Sequence, residues 1–210
     1  MRPFRIYVAL LVCATILLAL LDVAPHLRPR EQDGLPALTV LLADVEPVAQ
    51  RSRVLGYDRA AFGSGWATAG ACTVREEIIA TQLAAVADPC ELTDTRGTDP
   101  YTGGPLVVGP TAPPVEVDHI LPLSAAWDLG AHAWDLPTRL AFANDPLNLV
   151  ATSQATNREK SDHLAAAWLP PDPAAHCWYA RRLALVAGRY ALPLPEEDLQ
   201  AMRRACRWSG

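Results

Sequence analysis

The sequence predicts an α+β fold, with a small strand–loop–strand–helix element inside a mostly helical single domain. Three observations predict it. VEVDHI (115–120) is β-branched and short, as a strand requires, and the apolar, β-compatible stretch Leu147–Thr152 could pair with it. Several other segments carry helical periodicity with capping residues. Half of the 210 residues are apolar and the net charge is only −5, which excludes a disordered chain. The 19 Pro and 12 Gly exclude a long coiled coil. Only one stretch is long and apolar enough to concern a membrane, so a polytopic membrane protein is excluded too.

That stretch is Ile6–Leu21, preceded by Arg2 and Arg5. A basic start followed by an apolar run is the pattern of an export signal. No clean small-x-small cleavage site follows, so residues 1–24 read either as a signal peptide or as an N-terminal anchor touching the membrane through residues 6–21. Residues 25–50 read as a Pro-containing linker with a short helix over Leu38–Ala43. Residues 51–210 read as the functional domain. Beyond residue 30 the chain holds 14 basic and 22 acidic groups. Such an acidic body argues against non-specific wrapping of nucleic acid while leaving room for a local basic cleft. Of the 18 basic residues, 17 are Arg, and Lys160 is the single Lys.

The elements follow in order. Tyr57–Trp66 is turn-rich and aromatic. Thr73 caps a helix over Thr73–Ala87, with Glu76 at the third helical position and Ile78, Ile79, Leu83 and Val86 as the buried stripe. Residues 90–114 are a turn-rich stretch containing DPYTGGP. A strand is expected at Val115–Ile120, short helices at Ser124–Ala133 and Thr138–Ala143, and a strand near Leu147–Thr152. A helix capped by Thr152 or Ser153 should run through Ala167, stopped by Pro170, Pro171 and Pro173. Ala174–Tyr190 and Glu196–Arg207 read as the last two helices.

Cysteine usage agrees with export. Besides Cys13 there are Cys72, Cys90, Cys177 and Cys206, with no C-x-x-C that would suggest zinc or thioredoxin-type chemistry. Two disulfides have three possible pairings, and proximity favours Cys72–Cys90 with Cys177–Cys206. Four buried free thiols are the alternative.

Asp118-His119 stands at the end of the first expected strand, Asn148 at the start of the second, and Asn157-x-x-Lys160 on the first turns of the following helix. Phosphodiester hydrolysis needs a base for water and positive charge on the phosphate. A neutral imidazole at His119 supplies the first. Asp118, projecting from the other side of the strand, and the uncharged oxygen of Asn157 could hold one divalent cation, with oxygen donors favouring Mg²⁺ or Mn²⁺. Lys160, one turn after Asn157, together with Arg158, Arg139 and Arg75, are the candidate phosphate contacts.

These residues resemble the HNH nuclease signature with Asn at its third position. The wider string Tyr57-x-Arg59-x-x-Phe62-Gly63-x-x-Trp66, Cys72-x-x-Arg75, Asp99-Pro100-Tyr101-Thr102-Gly103, Asp118-His119-Ile120-x-Pro122-Leu123-x-x-Ala126-Trp127, Phe142-Ala143-Asn144-Asp145-Pro146 and Trp168-Leu169-Pro170 is similar to the exported bacterial HNH endonuclease family. That family is related to the C-terminal nuclease domain of GmrSD-type restriction enzymes. Glu76 departs from it, standing where an amide residue is expected. The resemblance implies a ββα-metal core, a divalent cation, a nucleic acid substrate (DNA in the first instance) and a monomer with no protein partner. It also implies that Asn148 orients the His119 loop through hydrogen bonds. The competing reading is a catalytically silent exported module that binds nucleic acid or the cell envelope. A serine hydrolase is excluded, because Ser64 in FGSGW lacks the first Gly of G-x-S-x-G.

Overall fold

The computed structural model describes residues 12, 13, 15, 34–83, 90–93 and 95–207. Most of the apolar run Ile6–Leu21 lies outside them, as does Val86 of the expected helical stripe. Among the described residues no helix is long and apolar enough to cross a membrane.

Helix α1 (Leu38–Leu41) continues as a 3₁₀ turn over Leu42–Asp44. Its Leu38 and Leu41 enter the main core together with Val45. Strand β1 (Pro47–Val48) pairs in parallel with β8 (Leu194–Pro195) near the other end of the chain. Residues 38–48, read from sequence as linker and flanking helix, are therefore part of the same packed body.

A 3₁₀ turn over Arg59–Phe62 is capped by Asp58. The small hairpin of β2 (Thr68–Ala69) and β3 (Cys72–Thr73) leads into α2 (Val74–Gln82). The capping box is present as expected: Thr73 Oγ1 accepts from the Glu76 N–H, and the Thr73 N–H donates to Glu76 Oε2 at 2.7 Å. The turn-rich stretch after Cys90 folds into an unanticipated hairpin, β4 (Thr95–Thr98) with β5 (Pro105–Val108). Its β propensity is masked by the Thr, Gly and Pro that the connecting turn requires.

Strand β6 (Val115–His119) pairs antiparallel with β7 (Leu149–Ser153), from Val115 opposite Ser153 to His119 opposite Leu149. Between them lie α3 (Leu123–Asp128), a 3₁₀ turn at Ala131–Ala133, α4 (Leu136–Ala143) and a 3₁₀ turn at Pro146–Asn148. The expected Ser124–Ala133 helix is thus two pieces, separated at Gly130 with φ 137°. Helix α4 begins earlier than expected because Asp135 caps it, accepting from the Thr138 N–H.

Helix α5 (Gln154–Lys160) follows β7 directly, with Ser153 as its cap. It stops seven residues short of the expected Ala167. Ser161 takes φ 52°, and Asp162 beyond it is held by Arg51. The last helices are α6 (His176–Arg189) and α7 (Glu196–Ala205). Helix α6 is the spine of the main core: Trp178, Tyr179, Leu183 and Val186 are all buried. A second, smaller core lies between α2 and the β6–β7 pair, built from Ile79, Leu83, Val115, Val117, Leu149 and Ala151.

Both favoured disulfides are present. Cys72–Cys90 closes a loop around α2, and Cys177–Cys206 joins α6 to the end of α7.

Gly63 ends the Arg59–Phe62 turn at φ 113°, a backbone region that side chains avoid, and an added Cβ would lie 2.7 Å from Leu140 Cδ2. The leucine tip can give way, but the backbone angle cannot. Gly63→Ala is therefore expected to cost about 1–3 kcal/mol, read as a lowered Tm. An unchanged Tm would show that this turn tolerates a different backbone.

Candidate functional site

His119 is the last residue of β6 and is nearly buried. Its Nε2 lies 2.8 Å from the Ala143 carbonyl at the end of α4. A carbonyl can only accept, so Nε2 carries the proton and Nδ1 is left with the lone pair. The indole of Trp66 stacks on the ring at 5.6 Å and 8°. Burial is the main reason that the imidazole is pushed down to about 3; the Ala143 carbonyl opposes this, while Arg59 and Lys160 add to it. His119 is therefore neutral across the working range of ordinary enzymes. The sign for stability follows. Between 6.5 and about 3 the unfolded imidazole takes up a proton that the folded one refuses, so folding weakens as pH falls through that window.

Asp118 is buried against two donors. Its Oδ2 accepts from the Tyr101 hydroxyl at 2.6 Å and lies 2.9 Å from Lys160 Nζ, which also reaches Oδ1 at 3.1 Å. Burial raises the carboxyl above its ordinary value, and the Lys160 ammonium pulls the other way. Tyr101 is fully buried among Trp168, Trp178 and Tyr179, and burial raises its phenol well above its ordinary value, so it stays a donor.

The Lys160 ammonium has no solvent exposure and donates to the His119 carbonyl at 2.7 Å as well as to Asp118. This corrects the expectation of a phosphate contact. A cation sealed beneath the strand neutralises the carboxylate and cannot meet a substrate from outside.

Asn148 is completely buried and spends its side chain on one residue: Oδ1 accepts from the Leu121 N–H at 2.8 Å, and Nδ2 donates to the Leu121 carbonyl at 3.2 Å. Its own carbonyl accepts from the Ile120 N–H at 2.7 Å. It braces the segment that follows His119.

Asn157, half-buried on α5, donates through Nδ2 to Glu116 Oε2 at 2.7 Å, which leaves its Oδ1 without a partner among the described residues. Asp118, His119 and Asn157 all line one cleft of about 270 Å³, together with Tyr57, Arg59, Arg158 and Asp162. A second cleft of about 330 Å³ lies beside it, lined by Arg59, Phe62, Gly63, Trp66, His119 and Ala143. His119 and Arg59 border both.

The arginines separate by their partners. Arg139 is a structural clip: Nε donates to the Ala61 carbonyl at 2.9 Å, Nη1 donates to the Trp134 carbonyl, and the guanidinium lies over Trp127. Arg75 donates to the Val115 carbonyl. Arg158 is exposed at the rim of the cleft. Arg59, quoted above only as part of a motif, is exposed at the meeting of both clefts. Tyr101, Trp66 and Glu116 were likewise missed as neighbours of the site, since their contacts span long stretches of chain.

Among the described residues no three His, Cys, Asp or Glu side chains are grouped to hold a metal. The oxygen-bearing side chains of the motif that line the cleft together are Asp118, whose carboxylate is already bonded to Tyr101 and Lys160, and Asn157. They suit a hard cation that keeps most of its water. Asp162 also faces it but is paired with Arg51 at 2.8 Å.

The description "GmrSD restriction endonucleases, C-terminal domain" is that of a family whose model matches residues 76–203. A protein described as an uncharacterized secreted protein from the fungus Arthroderma benhamiae is 31% identical over 151 residues, covering 70% of this chain and 72% of the relative. This relative is fungal, so it lends no support to the bacterial part of the expectation. No solved structure matches the chain. The matched span runs from α2 through the β6–β7 pair and α5 into α7, and so contains Asp118, His119, Asn148 and Asn157. The chain belongs to the family of GmrSD restriction endonuclease C-terminal domains.

Proposed function

We propose that this chain is a metal-dependent endonuclease that hydrolyses phosphodiester bonds of nucleic acid, DNA in the first instance, on a ββα-metal core formed by β6, β7 and α5. The observation that carries the reading is the geometry at His119. An imidazole held neutral, with one nitrogen spent on Ala143, opens onto the cleft that Asp118 and Asn157 share.

Asp118 and Asn157 would hold one Mg²⁺ or Mn²⁺. Such an ion, when bound, polarises the phosphodiester and eases charge onto the leaving oxygen. Nδ1 of His119 takes the proton of the attacking water. A substrate phosphate nearby raises the basicity of the ring, since an anion favours the charged imidazolium. Asn148 and Trp66 hold the loop and the ring in place. Lys160 keeps Asp118 ionised from beneath. The two disulfides, the basic and apolar N-terminus and the secreted relative support export, with residues 1–24 as signal or anchor. Incubating the purified chain with plasmid, with added Mn²⁺ or with EDTA, tests the activity; no cleavage under any metal would overturn it.

Substitutions at three positions test the roles. His119→Ala should lower the rate by about 10²–10⁴ while Mn²⁺ binding persists, with a lowered Tm from the lost burial and the unpaired Ala143 carbonyl; unchanged turnover would remove His119 from the mechanism. Asn157→Ala should lose cleavage, and Asn157→His should keep some while shifting preference toward Zn²⁺ or Ni²⁺, because imidazole suits those ions. A Mg²⁺ preference unmoved in Asn157→His would place the ion elsewhere. Lys160→Met strands the buried Asp118 carboxylate, a loss of about 3–5 kcal/mol, and Mn²⁺ should recover more Tm in this variant than in the native chain. Equal responses would exclude Asp118 as a ligand.

A further inference from the structure

Arg59 occupies a position that no other described cation shares. Its guanidinium borders both the cleft of Asp118, His119 and Asn157 and the cleft of Phe62, Trp66 and His119. It is solvent-exposed, and no hydrogen bond or ion pair commits it among the described residues.

Its backbone is nonetheless well anchored. Asp58 Oδ1 caps the turn through the Ala60 N–H. Tyr57 and Phe62 pack on Trp127 with ring centroids 6.1 and 6.3 Å apart, and Phe62 also packs on Phe142. Arg139 grips the Ala61 carbonyl, and the Ala67 N–H donates to Asn144 Oδ1 at 2.9 Å. A fixed backbone carrying a free guanidinium next to the candidate base is a preorganised anion receptor. The two other sequence candidates near the strands, Arg139 and Arg75, are drawn into backbone carbonyls instead.

We propose that Arg59 is the residue that grips the substrate phosphate at His119, and that the nucleic acid strand crosses from the cleft lined by Phe62 and Trp66 into the one lined by Asp118 and Asn157, with the phosphate between them. This rests on the nuclease reading above. The chemistry suits the placement. A planar guanidinium binds a phosphodiester through paired N–H donors, and the half-buried indole of Trp66 in the same cleft offers an apolar surface for the adjoining nucleoside.

The test pairs cleavage with binding. Arg59→Ala should cut kcat/KM on plasmid about 10²-fold, as loss of one preorganised donor to a developing anion does, with Tm unchanged because the side chain is exposed. Arg59→Lys should recover part of that loss. In a His119→Ala background, which binds without cleaving, Arg59→Ala should weaken a fluorescein-labelled oligonucleotide and lower the slope of log affinity against log salt by about one. Arg203→Ala, an exposed arginine on α7, serves as the control and should change neither. If the native chain cleaves while Arg59→Ala cleaves equally well with the same salt slope, the assignment of Arg59 is overturned and the nuclease reading stands. If the native chain neither cleaves nor binds nucleic acid, both fall.

Discussion

One buried ammonium organises the region on which the rest depends. Lys160, at the end of α5, reaches under β6 to bind the Asp118 carboxylate and the His119 carbonyl. Without that cation, Asp118 would be a charge stranded in a low-dielectric interior beside an aromatic cluster. With it, the carboxylate has a counter-charge at 2.9 Å and the strand end is tied to the helix. Lys suits the position because it is a compact charge on a slender stem. An arginine would bring a wide planar fork into a fully buried position where Tyr101 already holds the same carboxylate. In a chain that otherwise uses only Arg, the choice of Lys at this residue has a packing explanation.

Around this pair the fold sets three further restraints. Asn148 locks the backbone after His119 through two hydrogen bonds to Leu121. Asp99 accepts from the Thr152 hydroxyl at 2.8 Å, the Ser153 N–H at 3.1 Å and the Tyr101 N–H at 2.9 Å, so one carboxylate joins the DPYTG turn to the end of β7. Gln82 on α2 pairs with Ala151 of β7 through both its carbonyl and its amide, covering the outer side of the short sheet. Two strands of five residues have little stability alone. These side chains supply the missing edges.

Much of this was legible in the sequence where the signal is local. The α2 capping box, the strand at Val115, the Ser153 cap and the mixed fold class follow from neighbours a few residues apart. Cysteine pairing was legible because the partners are close in sequence. The hairpin at 95–108 was hidden by turn-forming residues. The length of α5 was misjudged because periodicity continues past Lys160, while the chain is turned aside by the long-range pull of Arg51 on Asp162. Lys160 drew attention by its rarity, yet its direction was read as outward, because sequence spacing gives the face of a helix and not what lies against it. Tyr101 and Arg59 were visible only as motif letters. The residues around them at the site lie on other elements, and only the closed structure brings those near.

The two disulfides sit on the flanks of the site, one around α2 and one between α6 and α7. Each such bridge contributes about 2–4 kcal/mol by restricting the unfolded chain. The net stability of a domain is only about 5–15 kcal/mol. A chain with all four thiols reduced therefore sits much nearer its unfolding threshold than the oxidised one. In a reducing compartment the arrangement of β6, β7 and α5 therefore has a smaller margin against unfolding. For the exported nuclease proposed above, this dependence would act as a safeguard without a separate inhibitor, because the bridges close only in an oxidising compartment.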